Sequence, residues 1–219
     1  MSEPRARPLP PSFYARDTVV VARALLGQLL VSAVGRGGRR CLARIVETEA
    51  YVGPDDPACH AAGWRRTPRT EVLYGPPGFA YVYFTYGMHW CVNVVTEREG
   101  YPAAVLLRAV EPLAGLTVMR RRRGAVPDAA LTSGPARLTE ALGIDRRLNG
   151  HRLSARPLWI ERGAAVPARR VAVGPRVGIR VATDWPLRFW IRDNPFVSPA
   201  RPRQPQGRPR AGAEPAATR

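Results

Sequence analysis

Glycine and proline interrupt this chain at short intervals, and the interruption constrains its fold more than any other feature. The 219 residues include 20 glycines and 23 prolines. Proline removes a backbone N–H donor and glycine weakens the interior of helices and strands, so long regular elements are disfavoured. The pattern favours short strands and loops over a helix bundle. Together with the chain length, it predicts a single α+β domain.

Local signals place the first elements. Asp17 is a favourable N-cap for a helix over residues 18–26. A second helix is predicted over residues 134–142, with Ser133 as its cap and a proline near its start. Alternating or apolar runs bounded by turn residues indicate strands. These strands are predicted over residues 28–34, 41–48, 176–182 and 186–192.

Both ends of the chain have the composition of disordered segments, because they offer little apolar surface to bury. We therefore expect a disordered N-terminal tail over residues 1–12 and a disordered Arg/Pro-rich tail over residues 199–219, around one domain at 13–198. The net charge is +17. The tails carry +1 and +4, which leaves +12 on residues 13–198, so most of the basic excess belongs to the predicted domain.

All 34 basic residues are arginines, since the sequence contains no lysine. This excludes a lysine Schiff base, a lysine general base and a Walker-type phosphate lysine. So large a positive charge repels itself and indicates an anionic partner, with nucleic acid ahead of an anionic membrane. Codon bias in a GC-rich gene is the alternative explanation, although it accounts better for arginine replacing lysine than for the excess over acidic residues.

Membrane and metal signatures are lacking in the sequence. No apolar run reaches the roughly 20 residues that span a bilayer, and the N-terminal residues do not form a signal peptide. The three cysteines, Cys41, Cys59 and Cys91, are scattered and form no ligand pair. We expect a cytoplasmic protein without a membrane segment or a metal site.

Two acidic side chains at residues 44–51 suggest chemistry. In a strand, side chains two positions apart share a face, so Glu47, Glu49 and Tyr51 would point the same way. Carboxylates on an inner sheet face are costly unless they have partners or a task. Solvent exposure, or a salt bridge to one of the arginines, is the simpler explanation and is favoured by this segment alone.

Residues 78–95 have the pattern of an aromatic hairpin with Gly87 at its tip. An ordinary aromatic core explains Tyr81, Phe84 and Trp90. Tyr86 flanks the tip, and an exposed aromatic there, in a basic protein, suggests a wedge between stacked bases. A third segment, residues 103–112, is a buried-type strand ending in charges. There Arg108 could neutralise Glu49 or Glu111, or could hold a phosphate.

Several of these segments resemble one known family. Residues 44–54 (RIVETEAYVGP), His60, residues 81–93 (YVYFTYGMHWCVN), residues 106–112 (LLRAVEP) and residues 133–135 occur in the order and spacing of the alkyladenine DNA glycosylases, also called 3-methyladenine or methylpurine DNA glycosylases. The resemblance runs from about residue 13 to about residue 198. It implies an α+β fold with a curved, mostly antiparallel sheet, a DNA-inserting β-hairpin and flanking short helices.

The resemblance also implies residue roles. Glu49 would activate the attacking water, and Arg108 would help to place that water or a phosphate. Tyr86, with Met88 beside it, would fill the gap left in the duplex by the flipped base. Arg65 and Arg69 would contact the DNA backbone. The implied base pocket is formed by Tyr51, His60, Tyr83, Asn93 and Leu106, of which Asn93 would crowd the exocyclic amine of normal guanine.

The expected function is therefore base excision repair, in which a damaged purine is flipped out of duplex DNA and its N-glycosidic bond is hydrolysed. The resemblance implies a monomer without metal or organic cofactor that works near the nucleoid, if the source is bacterial. Because lysine is absent, we expect a monofunctional enzyme that leaves an abasic site uncut. The rival hypotheses are a non-catalytic minor-groove binder and a relative that only shields lesions. Glu49 discriminates, because a binder has no use for a carboxylate near DNA.

Overall fold

A nine-stranded antiparallel sheet frames the protein in the computed structural model, which describes residues 7–199. Seven strands lie in the order β3-β4-β5-β2-β1-β7-β6, while β9 pairs with both β2 and β8. The strands are β1 Leu29–Ser32, β2 Cys41–Tyr51, β3 Ala80–Thr85, β4 His89–Thr96, β5 Ala103–Ala114, β6 Ser154–Ala155, β7 Leu158–Glu161, β8 Val171–Gly174 and β9 Arg188–Ile191. The helices are α1 Pro11–Tyr14, α2 Thr18–Leu25, α3 Leu116–Arg123 and α4 Pro135–Leu142. The predicted α+β class, with one curved antiparallel sheet and short helices, is confirmed.

Strand β2 is the junction of the sheet. Along one edge it pairs with β5. Its other edge pairs first with β1, from Cys41 to Arg44, and then with β9, from Glu47 to Glu49. Register shifts on either side of Glu47 interrupt the β2–β5 ladder, and irregularities of this kind bend a strand and increase its twist. The bend curls the sheet and gives it a concave side.

The two faces of β2 have different environments. Val46 and Ala50 are fully buried in the main core, and the Thr48 hydroxyl donates to the Ala22 carbonyl of α2 at 2.9 Å. This face is therefore covered by α2. Because side chains alternate along a strand, Glu47 and Glu49 point to the opposite, concave side.

The two predicted helices form, although only one has its predicted cap. Asp17 caps α2, since its side chain accepts from the Val20 N–H at 2.9 Å. Helix α4 begins at Pro135 after Gly134, and no side chain caps it. The predicted cap by Ser133 is wrong, because its hydroxyl accepts from Arg137 Nη1 at 3.1 Å instead.

Two predicted boundaries also need correction. The strand predicted at residues 176–182 is wrong, because β8 lies earlier and residues 175–187 form a loop. Residues 8–12, predicted to belong to a disordered tail, pack on the domain: Pro8 bridges to Glu161, and Leu9 is buried. The remainder of the two predicted tails, residues 1–6 and 200–219, lies outside the described residues.

The arginine run in α3 is mostly occupied by contacts within the protein. Arg120 pairs with Asp128, and Arg123 pairs with Glu140. Arg122 donates to the backbone carbonyls of Val34 and Ala141. Three of its four guanidinium groups therefore stabilise the fold, and this run is a poor candidate for a phosphate-binding surface. Within residues 7–199, no helix is long and apolar enough to cross a bilayer.

Candidate active site

The sheet register brings five polar or pocket-lining residues into one row on its concave side. Tyr81 on β3 pairs with Asn93 on β4, which pairs with Leu106 on β5. Leu106 pairs with Glu49 on β2, and Glu49 pairs with Arg188 on β9. Directly opposed side chains in antiparallel strands have Cβ atoms about 4.5–5.5 Å apart. Residues from five strands thus meet in one line.

Glu49 is fully buried and is held by three donors. Its Oε1 accepts from the Val177 N–H at 2.7 Å and lies 3.2 Å from Arg108 Nη1, while its Oε2 accepts from the Tyr51 hydroxyl at 3.0 Å. Burial raises the pKa of Glu49, and Arg108, the Val177 N–H and the Tyr51 hydroxyl oppose that rise. The predicted solvent exposure of this carboxylate is therefore wrong, and the predicted ion pair is present.

Glu47 anchors the arginines behind Glu49. One of its oxygens accepts from Arg108 Nε at 2.9 Å and from Arg188 Nε at 2.7 Å, and the other accepts from the Ser198 N–H at 2.7 Å. Buried charges are tolerated when they are paired and hydrogen-bonded. Arg108 therefore pairs with Glu47 and Glu49. Glu111, the other predicted partner, pairs with Arg44 instead.

A cavity of about 240 Å³ opens on the concave side above this row. Ligand sites for drug-sized molecules typically measure about 300–1,000 Å³, so this one suits a smaller, compact ligand. Its walls include all five residues predicted to form the base pocket, together with Arg108 and Tyr86: Tyr51, His60, Tyr83, Asn93, Leu106, Tyr86 and Arg108. The predicted pocket residues therefore converge on one cavity. The other predicted site residues, Glu49, Met88, Arg65 and Arg69, do not line it. Glu49 is fully buried next to three residues that do, namely Tyr51, Arg108 and Val177.

His60 forms an aromatic corner of the cavity. Its ring lies edge-on to Tyr83 with 4.6 Å between ring centroids, and its Nδ1 is 2.8 Å from the Tyr81 hydroxyl. Burial, helped by Arg69, lowers the pKa of His60 to about 4, so the imidazole is neutral near pH 7. The neutral imidazole therefore adds no positive charge of its own to this corner.

Asn93 and Leu106 form the floor of the cavity. Both side chains are almost fully buried, at 4% exposure each. The Asn93 amide donates to the Tyr81 carbonyl at 3.1 Å, which fixes the orientation of the side chain. Such a fixed polar group can select between ligands by shape.

Strands β3 and β4 pair as the predicted hairpin, and its tip is exposed. Tyr86 is 81% and Met88 is 68% exposed. Tyr86 has a φ of 51°, which is uncommon for a residue with a bulky side chain and points to a local constraint at the turn. The prediction that Phe84 belongs to the core is wrong: it is 45% exposed, because it lies near the tip of the hairpin, beyond the buried Val82 on the same strand face.

Exposed arginines lie near the cavity. Arg69 is exposed, and its guanidinium lies 5.0 Å from the centroid of the Tyr83 ring. Arg65, also exposed, lines a second, adjoining cavity together with Arg180. Contact of Arg65 and Arg69 with a DNA backbone stays a prediction.

Sequence reasoning missed the residues that support Glu49 from distant segments. Arg188 and Ser198 share Glu47, Val177 binds Glu49, and Arg176 pairs with Asp56. Strand alternation could have placed Arg188 and Trp190 on the face opposite to Phe189. However, the pairing of β9 with β2 has no local signal in the sequence. Nothing in the sequence distinguishes the buried Asp56 from the adjacent, exposed Asp55.

Comparison with known proteins shows the family of this chain. The family model described as methylpurine-DNA glycosylase matches residues 12–195. The chain is 51% identical to a relative from Myxococcus xanthus, covering 89% of this chain and 95% of the relative. It is 48% identical to relatives from Carboxydothermus hydrogenoformans and Salinibacter ruber, covering 87% and 89% of this chain and 98% of each relative. The names of all three class them as 3-methyladenine DNA glycosylases. The chain belongs to the methylpurine-DNA glycosylase family.

Proposed function

We propose that this protein removes alkylated and deaminated purines from duplex DNA by hydrolysing the N-glycosidic bond with a water activated by Glu49. The observation that carries the proposal is a buried carboxylate beside a base-sized aromatic cavity, behind an exposed tyrosine wedge. All members of the row lie in one chain, which supports action as a monomer.

The hydrolysis follows from the setting of Glu49. When the glycosidic bond breaks, positive charge develops on the sugar, and a nearby carboxylate stabilises it. The same carboxylate takes a proton from the attacking water. The water oxygen then adds to C1′ of the sugar, the carbon that carried the base. Arg108 at 3.2 Å favours the ionised form of Glu49 that this step requires.

The aromatic walls suit a cationic leaving group. An N3- or N7-alkylated purine carries a positive charge, which aromatic faces attract. It leaves as a neutral base, so no acid is needed. Hypoxanthine is neutral and leaves with the electron pair of the broken bond, so it must gain a proton from solvent as it departs; the proton that Glu49 takes from the attacking water is returned to solvent and balances the step. Hypoxanthine lacks the exocyclic amine of guanine and would therefore fit over Asn93.

Base release measured in a single turnover tests this proposal. Duplexes that carry 3-methyladenine, 7-methylguanine or hypoxanthine would be incubated with excess protein and then cleaved at abasic sites with hot alkali. We expect lesion-dependent strand breaks. Absence of breaks with every lesion would refute the enzymatic proposal.

Removal of the wedge ring should weaken DNA binding by the same factor for all lesions. Stacking of a base on an aromatic side chain contributes roughly 1–3 kcal/mol. We therefore expect Tyr86→Ala to raise the Kd for lesion duplexes about 5- to 150-fold. Tyr86→Phe retains the ring and should bind like the unmodified protein in a fluorescence anisotropy titration. Equal Kd values for the alanine and phenylalanine variants would contradict the wedge role.

Shortening Asn93 should relax the exclusion of guanine. Asn93→Ser removes the amide that we expect to meet the guanine amine, so release of undamaged guanine should rise about tenfold or more relative to hypoxanthine release. Mass spectrometry of bases freed from undamaged duplex DNA measures this ratio. An unchanged ratio would assign guanine exclusion to another part of the cavity.

The absence of lysine should limit the reaction to base removal. Strand-cleaving glycosylases form a Schiff base through an amine, and this chain has no lysine amine. Borohydride added during turnover should therefore trap no protein–DNA adduct, and abasic product should remain uncut until alkali is added. A trapped adduct on a denaturing gel would contradict this expectation.

A further inference from the structure

A buried ion pair joins the two loops that flank the candidate base cavity. Asp56 lies in the segment after β2, and Arg176 lies in the loop between β8 and β9. Arg176 Nη1 is 2.5 Å from Asp56 Oδ2 and Arg176 Nη2 is 2.8 Å from Asp56 Oδ1, and both side chains are fully buried. Two parallel bonds between a guanidinium and a carboxylate fix geometry as well as charge.

On one side, Asp56 organises the loop that carries His60. Its carboxylate accepts from the backbone N–H groups of Val52 at 3.2 Å and Ala58 at 3.0 Å. Its own carbonyl accepts from the Cys59 N–H at 2.9 Å. The path of the chain into the His60 wall of the cavity therefore depends on Asp56.

On the other side, Arg176 fixes the opposite wall. Its guanidinium donates to the Ala50 carbonyl at 3.0 Å and lies 4.7 Å from the centroid of the Tyr51 ring. The next residue, Val177, donates its N–H to Glu49 at 2.7 Å and lines the cavity. Arg176 thus contacts the strand that bears Glu49 and places the amide that binds it.

We infer that Asp56 and Arg176 are positioning residues that hold the Val177 amide against Glu49 and set the spacing between the two cavity walls. The inference rests on the proposed function, because it assigns to the pair a role in base release by Glu49. Neither side chain would touch the reacting atoms. Their effect reaches the chemistry through Val177, Tyr51 and His60.

The inference has a signature in the pH dependence of base release. Only ionised Glu49 can accept a proton, so the rate of base release should fall as the pH decreases through the Glu49 pKa, and this fall is the acid limb of the pH profile. Because burial raises that pKa, the acid limb should lie above the usual range of glutamate. The Val177 N–H lowers that pKa. A variant whose loop no longer holds this N–H against Glu49 should therefore move the acid limb to higher pH. The other ionisable groups that face Glu49 are Arg108 on β5, Glu47 and Tyr51 on β2, Cys91 on β4, Arg188 on β9 and Arg176 itself.

Arg176→Lys and Asp56→Asn test the pair directly. A lysine keeps the charge but cannot make the forked contact, and an asparagine keeps the shape but not the charge. We expect single-turnover rates to fall about 10- to 100-fold at saturating protein, with the Kd for lesion DNA little changed. For Arg176→Lys, which keeps the charges of the pair, we also expect the acid limb to move up by about one pH unit, as loss of a hydrogen bond to a charged group predicts. Asp56→Asn leaves the Arg176 charge unneutralised near Glu49, which opposes that shift, so its readout is the release rate.

Glu161→Gln is the matched control. Glu161 is almost buried on β7 and both of its carboxylate oxygens accept from Arg40 Nη2, at 2.8 and 2.9 Å, but it does not line the cavity. This variant should lower the melting temperature while leaving the acid limb in place. If it moves the acid limb as far as Arg176→Lys does, or if Arg176→Lys does not move it, the pair is structural and the inference fails.

A measurement on the unmodified protein remains decisive if the variants do not fold. The ¹⁵N–¹H signal of the Val177 amide should titrate with the same apparent pKa as the acid limb of base release. A Val177 signal that does not respond in that range would overturn the inference. Failure of the unmodified protein to release any base would instead overturn the proposed function, so the two failures are distinguishable.

Discussion

Glu49→Gln should lower the single-turnover rate of base release by about 10³-fold or more while preserving lesion binding within a factor of about two. Glutamine has nearly the same shape as glutamate, so the cavity and its aromatic walls should remain. Its amide cannot accept the proton of the attacking water, and it places no negative charge beside the developing charge on the sugar. Tight binding without release would therefore separate recognition from chemistry.

Glu111→Gln provides the comparison for this variant. Glu111 lies on β5, next to β2, and is paired with an arginine, but it is half-buried and outside the cavity. Its loss should leave the release rate unchanged within a factor of about two, as is usual for exposed ion pairs. If Glu49→Gln releases base as fast as Glu111→Gln, the assignment of the general base is wrong.

Arg108→Met should lower the free energy of unfolding by about 3–5 kcal/mol, since removal of one partner leaves buried charge uncompensated. Arg108 contacts both Glu47 and Glu49, and both carboxylates are fully buried. Arg108 also opposes the rise of the Glu49 pKa, so its loss should raise that pKa further. At neutral pH, more of Glu49 would be protonated and base release would slow.

Arg44→Met is the matched control, because Arg44 lies on the neighbouring strand and pairs with Glu111 at 3.4 Å with 42% of its side chain exposed. Urea unfolding titrations of both variants measure the difference, and for Arg44→Met we expect a change of no more than about 1 kcal/mol. A similar loss of stability in the two variants would show that the buried cluster around Glu47 contributes no more than an exposed pair.

The local pattern of the sequence was sufficient for much of the fold and the site. Alternation along residues 44–51 predicted that Glu47, Glu49 and Tyr51 share a face, and they do, since Arg108 touches both carboxylates. Asp17 predicted the start of α2, because a cap acts within one turn. The aromatic residues around Gly87 predicted the hairpin and its exposed tip.

The remaining contacts depend on segments far apart in the chain. The pairing that places Arg188 beside Glu49 spans 139 residues, and the Arg176–Asp56 contact spans 120. Residues 176–182 have the apolar content of a strand, but Arg176 is bound in its ion pair and Val177 uses its N–H for Glu49. Tertiary contacts therefore override the local β propensity in this loop.

The position of Ser198 has a consequence for the order in which the protein can be made. Its N–H and hydroxyl bind Glu47 across 151 residues, and Arg188 reaches the same carboxylate from β9. The ribosome synthesises β2 before residues 188–198, so a nascent chain lacks these partners until residue 198 has been added. A domain that begins to fold during synthesis would form its aromatic hairpin before the buried cluster around Glu47 and Glu49 closes. Closure of the cluster around Glu47 thus waits for the synthesis of residues 188–198.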